Sequence, residues 1–420
     1  MSYEQHIEDS QSQLFGGDPS LSAIASETVE LGMAWANSYA KLGAKVLSAN
    51  LDFWGGGLKP FAEASRFLQA EIAQPSLDRM PKQAIWEDER SILYRYETPA
   101  TLEPGYEPQD VPVVAAFALM NSGDILGRTL VPELLKRGFD VYRPEWKIPQ
   151  RGDANSGLED YFLDTLPAAL EQVKLAASCD EVSLLGWCQG GYGSTILTAL
   201  QGQLAERAGL AQGDLGIRNL IQLTTPLSVS QAAKTCGGFA EMASDPSFDP
   251  EAIVKANGGI YPGALIDHAA RGLKSYENNI GTHFNLLRLV QNGNEAKIKR
   301  WEEMNGWTKD IKNMPGQFYL DLIKNLYREN TLAEGTMVLR GMPVNLANLA
   351  TVSVLTLIAE LDHIVPPNQT EDALPLFGDG DHTVLRKPGG HISVVSPATC
   401  AEMAQWLIPR SRSRRQQSVA

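Results

Sequence analysis

The sequence predicts an α/β protein with a mainly parallel central sheet. From about residue 91 onward, short apolar runs alternate with helical stretches of ten or more residues, an order that produces parallel strands covered by helices on both faces. One run, VPVVAAFAL from Val111, is almost wholly apolar, as expected of a central strand. The alternation stops between about Pro226 and Met342 and then resumes, which predicts a long insertion ahead of the last strands.

The elements of this core follow in a clear order. The predicted strands before the insertion are ILYRYE, VPVVAAFAL, DVYRPEW, EVSLLGWC and NLIQLTT, and those after it are VSVLTLIAELD and HTVLRKPGGH. A last helix is predicted from Pro397 to Leu407. Residues 81–225 and 343–409 therefore form the predicted core, and residues 226–342, in which helical patterns dominate, form a predicted helical lid or cap.

Two segments flank the predicted core. Residues 1–80 begin with a polar stretch that is expected to be disordered, followed by helical patterns over about 22–50 and 60–73. We predict that these helices form an N-terminal extension packed on the core, with contact to a partner or an apolar surface as the alternative. The arginine-rich residues 410–420 predict a basic disordered tail.

Composition and charge exclude several classes of protein. The 420 residues are 43% hydrophobic and 20% charged, the balance of an ordinary folded protein. A formal net charge of -14 excludes a nucleic-acid binder, since such binding needs dense positive charge against phosphates. The four cysteines do not occur as closely spaced pairs in the sequence, so we predict neither disulfides nor a zinc site. With no signal-peptide pattern and no apolar membrane-spanning window, we expect a cytoplasmic protein without a transmembrane segment.

The strongest chemical signal is Gly186-Trp187-Cys188-Gln189-Gly190, which follows the strand VSLL and precedes the helical stretch YGSTILTALQGQLA. Such a strand, turn and helix hold a nucleophile in a tight, strained turn called a nucleophile elbow. Cysteine stands where serine is usual, and a thiol at a helix N-terminus beside a histidine ionises readily. A buried structural cysteine between glycines is the alternative.

Two later residues complete a triad with Cys188. Asp362 ends the strand VSVLTLIAELD, and His391 follows the strand HTVLRKPGG. The order nucleophile, acid and histidine, each at a strand end, is that of the α/β-hydrolases. We therefore predict an α/β-hydrolase fold with a mainly parallel sheet and a helical lid, preceded by N-terminal helices. His391 is the predicted general base, and Asp362 orients its ring.

Acyl transfer also needs donors for the oxyanion that develops on the carbonyl. The predicted donors are the backbone N–H groups of Gln189, directly after the nucleophile, and of Met120, near the end of an early strand. No motif predicts a metal ion or a cofactor. The remaining histidines and cysteines are interpreted as structural, solvated or unreactive, with His363 facing away from the elbow: His6, His268, His283, His363, His382, Cys179, Cys236 and Cys400.

Several motifs resemble those of the polyhydroxyalkanoate synthases. GWCQGG at the elbow, LDHIVPP at the strand end and the late PGGHI are similar to the family's catalytic motifs. The resemblance covers roughly residues 81–409, including GFDVYRPEW and NTLAEGTMVLRGMPVNLANL, and is to the shorter synthases that work with a separate accessory subunit. The chain departs from the family's pattern at NSGDILGR after Met120 and at EWKIPQRGDANSG.

The resemblance implies an acyltransferase. Its substrate would be an (R)-3-hydroxyacyl-CoA, polymerised to a polyester with release of CoA through an acyl group on Cys188. The resemblance further implies a homodimer at the surface of a polyester granule, with a small accessory subunit. Two alternatives remain open at this point: a hydrolase of the same fold, either a thioesterase or a polyester depolymerase, and a non-catalytic relative bound to granules.

Overall fold

The computed structural model of the protein describes residues 77–211, 213–230, 239–272, 289 and 292–412. Its centre is an eight-stranded sheet, and two short ribbons lie outside it. The strands run in chain order as follows: β1 Lys82–Glu87, β2 Ser91–Tyr96, β3 Val113–Ala116, β4 Val141–Trp146, β5 Val182–Trp187, β6 Ile217–Leu223, β7 Ile260–Tyr261, β8 Met314–Pro315, β9 Val338–Leu339, β10 Met342–Pro343, β11 Ser353–Ala359 and β12 His382–Lys387.

The order of strands across the large sheet is β1-β2-β4-β3-β5-β6-β11-β12. From β4 through β3, β5, β6 and β11 to β12, neighbouring strands of this sheet pair in parallel, whereas β2 is antiparallel to both β1 and β4. The central strands β3 and β5 are buried along their whole length, which explains their nearly continuous apolar sequences. This topology, with a nucleophile turn after β5, is that of an α/β-hydrolase, and it confirms the predicted fold class.

Helices cover both faces of the sheet. Those that belong to the core are α1 Asp124–Arg128, α2 Leu130–Leu135, α3 Leu166–Ala177, α4 Gln189–Ala208, α10 Asn368–Glu371 and α11 Pro397–Leu407. Alternate residues of β3 show the two layers, because Val114 packs in the cluster that holds α3 and α4, whereas Val113 packs in the cluster that holds α2 and α11. The core therefore has three layers, helices on each side of one sheet.

The segment between β6 and β11 carries most of the remaining helices. Their bounds are α5 Phe239–Ser244, α6 Pro250–Ala256, α7 Gly263–Gly272, α8 Glu295–Lys309 and α9 Gly316–Leu322, the last continuing as a π-helix over Ile323–Arg328. The antiparallel ribbons β7–β8 and β9–β10 also lie in this segment. Within the described ranges, no helix is long and apolar enough to cross a bilayer.

Three features of the fold differ from the sequence prediction. Strand β1 was not predicted; its exposed, polar sequence KQAIWE suits the edge of a sheet, where apolar alternation is weak. Residues 77–80, assigned to the helical extension, are not helical, and Asp78 is buried against Tyr96 and belongs to the core. Residues Arg410 and Ser411, assigned to the tail, are also folded: Arg410 pairs with Asp381, and Ser411 is fully buried. The predicted helices before residue 77 and the tail beyond residue 412 lie outside the described residues.

Candidate active site

The predicted nucleophile occupies a strained turn between β5 and α4. Cys188 has φ 57° and ψ -122°, a conformation that non-glycine residues rarely adopt and that surrounding structure must enforce. Its N–H donates to Leu223 O at 3.0 Å, and its carbonyl accepts from Tyr192 N at 3.0 Å, so the turn is tied to β6 and to the first turn of α4. Cys188 is 8% exposed.

Two glycines allow this turn to pack against the sheet. A Cβ atom on Gly186 would lie 2.5 Å from Gly191 Cα, and a Cβ on Gly190 would lie 2.4 Å from Ala116 O. Both distances are shorter than contacts that real Cβ atoms make, so the elbow needs glycine at these positions. The glycines thus let α4 begin directly against the end of β3, beside the loop that leads to Met120.

The predicted acid and base meet at the ends of β11 and β12. His391 Nδ1 lies 2.7 Å from Asp362 Oδ2, and both residues are 6% exposed. The other carboxylate oxygen, Oδ1, accepts from the N–H groups of Ile364 and Val365, each at 2.9 Å. A further bond from Leu361 N to Gly389 O joins the two loops. Asp362 is therefore held by its own turn and presents one oxygen to the imidazole.

His391 lies close enough to Cys188 for the charges of the two side chains to interact. Since Nδ1 faces Asp362, Nε2 is the ring nitrogen that remains for proton exchange with the thiol. Burial alone would lower the pKa of His391, but the negative charges of Cys188 and Asp362 and the hydrogen bond to Asp362 outweigh it and raise the pKa from 6.5 to about 10. At neutral pH the raised pKa keeps the His391 imidazole protonated.

The predicted oxyanion donors lie at the start of α4 and in the loop after β3. Gln189 is the first residue of α4, and the N–H groups of a first helical turn have no partner within the helix. The Gln189 side chain crosses to the loop after β3, where its Oε1 accepts from Leu119 N at 3.2 Å. The Leu119 N–H is therefore occupied, and Met120 is the next residue whose N–H can serve. Met120 and Gln189 both line the cavity that holds Cys188.

A segment of the insertion fixes the loop after β3, and we call residues 307–312 the clamp segment. Lys312 N donates to Met120 O at 2.7 Å, and Trp307 Nε1 donates to Ser122 O at 2.9 Å. Asn121 pairs with Ile311 in an isolated antiparallel bridge. The predicted Met120 donor is thus held from the insertion as well as from the core, a feature that no local motif in the sequence indicated.

The side chain of Lys312 secures the clamp segment to β4. Its ammonium lies 2.6 Å from Glu145 Oε1 and 3.0 Å from Trp146 O. The other oxygen of Glu145 accepts from Gly123 N at 3.1 Å and lies 3.4 Å from the buried Arg143. One carboxylate therefore connects the insertion, the loop after β3 and strand β4.

A small, mainly apolar cavity adjoins the elbow, and Cys188 is among its lining residues. It has a volume of about 50 Å³, room for a few water molecules at most. The lining side chains are mainly apolar or aromatic and come from α4, the insertion and the loop after β11: Met120, Tyr192, Pro226, Phe239, Met242, Ala243, Ile266, Met314, Tyr319, Leu322, Ile323, Leu326, Tyr327, Ile364 and Val365. Burial and the nearby negative charge of Cys188 raise the pKa of Tyr327, so its phenol stays neutral.

Comparison with known proteins supports what the motifs predicted. The chain is 29% identical to the poly(3-hydroxyalkanoate) polymerase subunit PhaC of Allochromatium vinosum over 75% of this chain and 83% of that protein. It is 26% identical to the subunit of the same name from Thiocystis violacea, covering 79% and 89%. The resemblance to the polyhydroxyalkanoate synthases is confirmed. The Synechocystis polymerase subunit PhaC is similarly 29% identical, covering 79% of this chain and 85% of that protein.

Two further comparisons concern parts of the chain or its fold. Residues 250–388 match the family model described as PHB de-polymerase C-terminus. A solved monoacylglycerol lipase from Paleococcus ferrophilus has a TM-score of 0.42 and 17% identity, covering 76% of this chain and 99% of that one. The two stretches in which the sequence departs from the synthase pattern meet in the structure, since Gly123 N donates to Glu145 Oε2.

The other predicted residues lie away from the elbow or outside the described part. His382 begins β12, and its ring meets the edge of Phe377 with centroids 5.6 Å apart. Cys400 is buried in α11, where desolvation and the Glu133 charge raise the pKa of its thiol to about 12. Cys179 is half-buried after α3, and residue 268 lies in α7. His6, Cys236 and His283 lie outside the described residues. Across the ranges that the structure describes, no group of three or more His, Cys, Asp or Glu side chains could hold a metal ion.

Proposed function

We propose that the chain is a polyhydroxyalkanoate synthase that polymerises (R)-3-hydroxyacyl-CoA through an acyl group on Cys188. The observation that carries the proposal is a cysteine at a strained elbow, in electrostatic interaction with a histidine whose Nδ1 lies 2.7 Å from a buried carboxylate. The names of the three polymerase subunits support the same activity. The fold alone would not support this activity, because proteins with the same fold catalyse many different reactions.

In the first half-reaction the Cys188 thiolate attacks the thioester carbonyl carbon of the acyl-CoA. The carbonyl oxygen becomes an oxyanion, and the N–H groups of Gln189 and Met120 stabilise it. When the tetrahedral intermediate collapses, the bond to the CoA sulfur breaks, and His391 gives its proton to the departing thiolate. The products are free CoA and a new thioester on Cys188.

In the second half-reaction the neutral His391 accepts a proton from the hydroxyl of another hydroxyacyl unit. The alkoxide oxygen attacks the carbonyl carbon of the acyl-enzyme, and the bond to Cys188 Sγ breaks. The thiolate is regenerated beside an imidazolium, the state from which the cycle began. Asp362 keeps the ring in one orientation and stabilises its positive charge throughout.

Cysteine suits this reaction better than serine. Exchange of one thioester for another is nearly thermoneutral, so the acyl group stays activated for transfer to an alcohol, whereas a serine ester would lose that activation. Water would compete with the alcohol, and the small, mainly apolar cavity beside Cys188 limits its access. We expect the insertion to move when substrate enters, as lids do in many enzymes.

A hydrolase of the same fold is the second candidate, because residues 250–388 match the PHB de-polymerase C-terminus model. The two functions share the acyl-enzyme and differ only in the acceptor, an alcohol or water. Purified protein incubated with 3-hydroxybutyryl-CoA separates them. A synthase releases CoA and forms insoluble product of high mass, whereas equimolar free hydroxy acid would assign the chain to the hydrolases.

The nucleophile is tested by substitution. Cys188→Ala and Cys188→Ser are both expected to abolish CoA release, and intact-mass analysis should show an acyl adduct on the wild-type protein only. Cys179→Ala is the matched control, since that thiol is half-buried outside the site. Full turnover in either Cys188 variant would contradict the mechanism.

We further propose, from the resemblance to the synthases, that the chain works at a polyester granule in the cytoplasm as a dimer with an accessory subunit. The word "subunit" in the relatives' names is what supports a partner. Pull-down of partners from cells that hold granules, compared with cells that lack them, tests this arrangement.

A further inference from the structure

One side chain in the cavity has no role in the mechanism above. Tyr192 is fully buried, lines the cavity with Cys188, and its hydroxyl has no hydrogen-bond partner among the described residues. Buried hydroxyl groups are nearly always paired, because an unpaired one keeps its desolvation cost without compensation. An unpaired phenol beside a nucleophile therefore points to a ligand oxygen.

The position of Tyr192 on α4 directs it toward the nucleophile. Tyr192 follows Cys188 by four residues, and the bond from its N–H to Cys188 O makes the intervening turn helical. Side chains on a helix lean toward its N-terminus and cover the turn that precedes them. The phenol of Tyr192 therefore leans toward the elbow end of α4, where it lines the cavity together with Cys188.

The surroundings of Tyr192 limit what its hydroxyl can do. Burial, together with the nearby Tyr327 and Asp321, raises its pKa, so the phenol is a neutral donor and not a base. Both oxygens of Asp321 are already occupied, Oδ2 by Leu158 N at 2.9 Å and Oδ1 by Gln317 Nε2 at 2.8 Å. The rest of the cavity wall is mainly apolar, so an oxygen that enters it has few other partners.

The chain length of the proposed substrate matches this position. On a 3-hydroxyacyl group bound to Cys188, the oxygen on C3 lies four bonds from the sulfur, a span of about 5 Å when extended. Tyr192 lines the same cavity as Cys188, so an acyl chain that is attached to the sulfur and lies in the cavity extends along a wall that contains Tyr192.

We propose that the Tyr192 hydroxyl donates a hydrogen bond to the oxygen on C3 of the acyl chain on Cys188, and so selects 3-hydroxyacyl over unsubstituted acyl thioesters. The inference rests on the proposed function and adds to it the group that recognises the substrate's β-oxygen. Before polymer extension this oxygen is a hydroxyl, and afterwards it is the ester oxygen of the chain. A side chain that donates a hydrogen bond can pair with either oxygen, whereas a side chain that only accepts could pair with the hydroxyl alone.

Tyr192→Phe tests the inference because it removes one oxygen atom and leaves the ring. The rate of Cys188 acylation is measured by CoA release and intact mass with (R)-3-hydroxybutyryl-CoA and with butyryl-CoA. Wild type is expected to prefer the hydroxylated thioester by roughly 10- to 100-fold in kcat/KM, as pairing of a buried polar group with a substrate hydroxyl requires. In Tyr192→Phe that preference is expected to fall close to 1, through slower reaction of the hydroxylated thioester.

Tyr142→Phe is the matched control. Tyr142 is also fully buried, but its hydroxyl donates to Asp140 Oδ2 at 2.7 Å, away from the cavity. The control should unfold at a lower temperature than wild type because it loses a satisfied bond, and it should keep the preference between the two thioesters. Tyr192→Phe should show the opposite pair of results, an equal or higher unfolding temperature and a lost preference.

Three outcomes would overturn the inference, and they differ in what else they affect. If wild type and Tyr192→Phe show the same preference, Tyr192 does not read the C3 oxygen, while acylation of Cys188 by both thioesters leaves the proposed function intact. If Tyr192→Phe unfolds as early as Tyr142→Phe, its hydroxyl has a partner within the fold. If neither thioester acylates the wild-type Cys188, the proposed function and the inference fail together.

Discussion

Replacing Gly190 by alanine tests whether the elbow requires glycine because α4 packs so closely against β3. The new Cβ would lie 2.4 Å from Ala116 O, 2.7 Å from Ala116 C and 2.8 Å from Phe117 O, all of them backbone atoms at the end of β3. Since Cβ contacts below 3.0 Å essentially never occur, α4 and β3 must separate by at least 0.6 Å. No side chain can rotate away to relieve the contact.

The expected magnitudes follow from that displacement. Overpacking of a filled core costs about 1–3 kcal/mol, so the apparent unfolding temperature should fall by several degrees. The shifted backbone also leads to the loop that carries Met120, and a displacement of about 1 Å in a reacting geometry can cost about 100-fold in rate. The rate of Cys188 acylation by 3-hydroxybutyryl-CoA, measured as CoA release, should therefore fall by about 100-fold.

Gly202 provides the control within the same helix. A Cβ there meets only Gly213 O at 3.9 Å, so alanine fits without strain. Gly202→Ala should stabilise the protein by about 0.5–1 kcal/mol, since glycine is unfavourable in a helix interior, and should leave acylation unchanged. If Gly190→Ala resembled Gly202→Ala in thermal unfolding and in acylation rate, the argument that α4 must approach β3 closely would be refuted.

Four further outcomes are expected. Lys312→Met, which removes the ammonium that secures the clamp segment, should lower the acylation rate by about tenfold with little change in KM, because the Met120 donor acts on the transition state. Cys188→Ala should lower the pKa of His391 below about 10 in an NMR titration of the ring, since the thiolate charge that raises it is lost. A raised pKa means that the protonated ring adds stability that is fully present below pH 6.5 and lost as pH rises through about 10, so in calorimetry wild type should lose stability over this range. Asp362→Asn should keep the fold and reduce acylation by up to about 10⁴-fold; a reduction below tenfold would contradict the assigned orienting role.

Features with local causes could be predicted from the sequence. The strands β3 and β5 are apolar because both faces of the sheet are covered, and the glycines around Cys188 are required by one tight turn. Chain order then sufficed to select Asp362 and His391, since each follows a strand of recognisable pattern. The helix Pro397–Leu407 has the predicted bounds, with Ser396 as its N-cap and proline in its first turn.

Features that depend on contacts distant in sequence could not be predicted. Lys312 and Glu145 are 167 residues apart, and neither residue type nor spacing indicates that they meet. Tyr192 reads as one more apolar residue on the buried face of α4, and only the structure shows that its hydroxyl is unpaired. Edge strand β1 was not predicted because its polar sequence lacks the alternation of apolar and polar residues that marks a half-buried strand.

The clamp segment also limits how parts of this protein can be exchanged. Residues 307–312 lie in the insertion, yet they hydrogen-bond to the backbone of residues 120–122 beside the elbow. Consider a chimera that takes its lid from a relative and its sheet from this chain. In it, residues 120–122 of this chain would have to be held by the relative's segment in place of the clamp segment. Substitutions in the lid are expected to change reaction rate as well as substrate entry, so directed evolution of the two parts should proceed together and not in separate rounds.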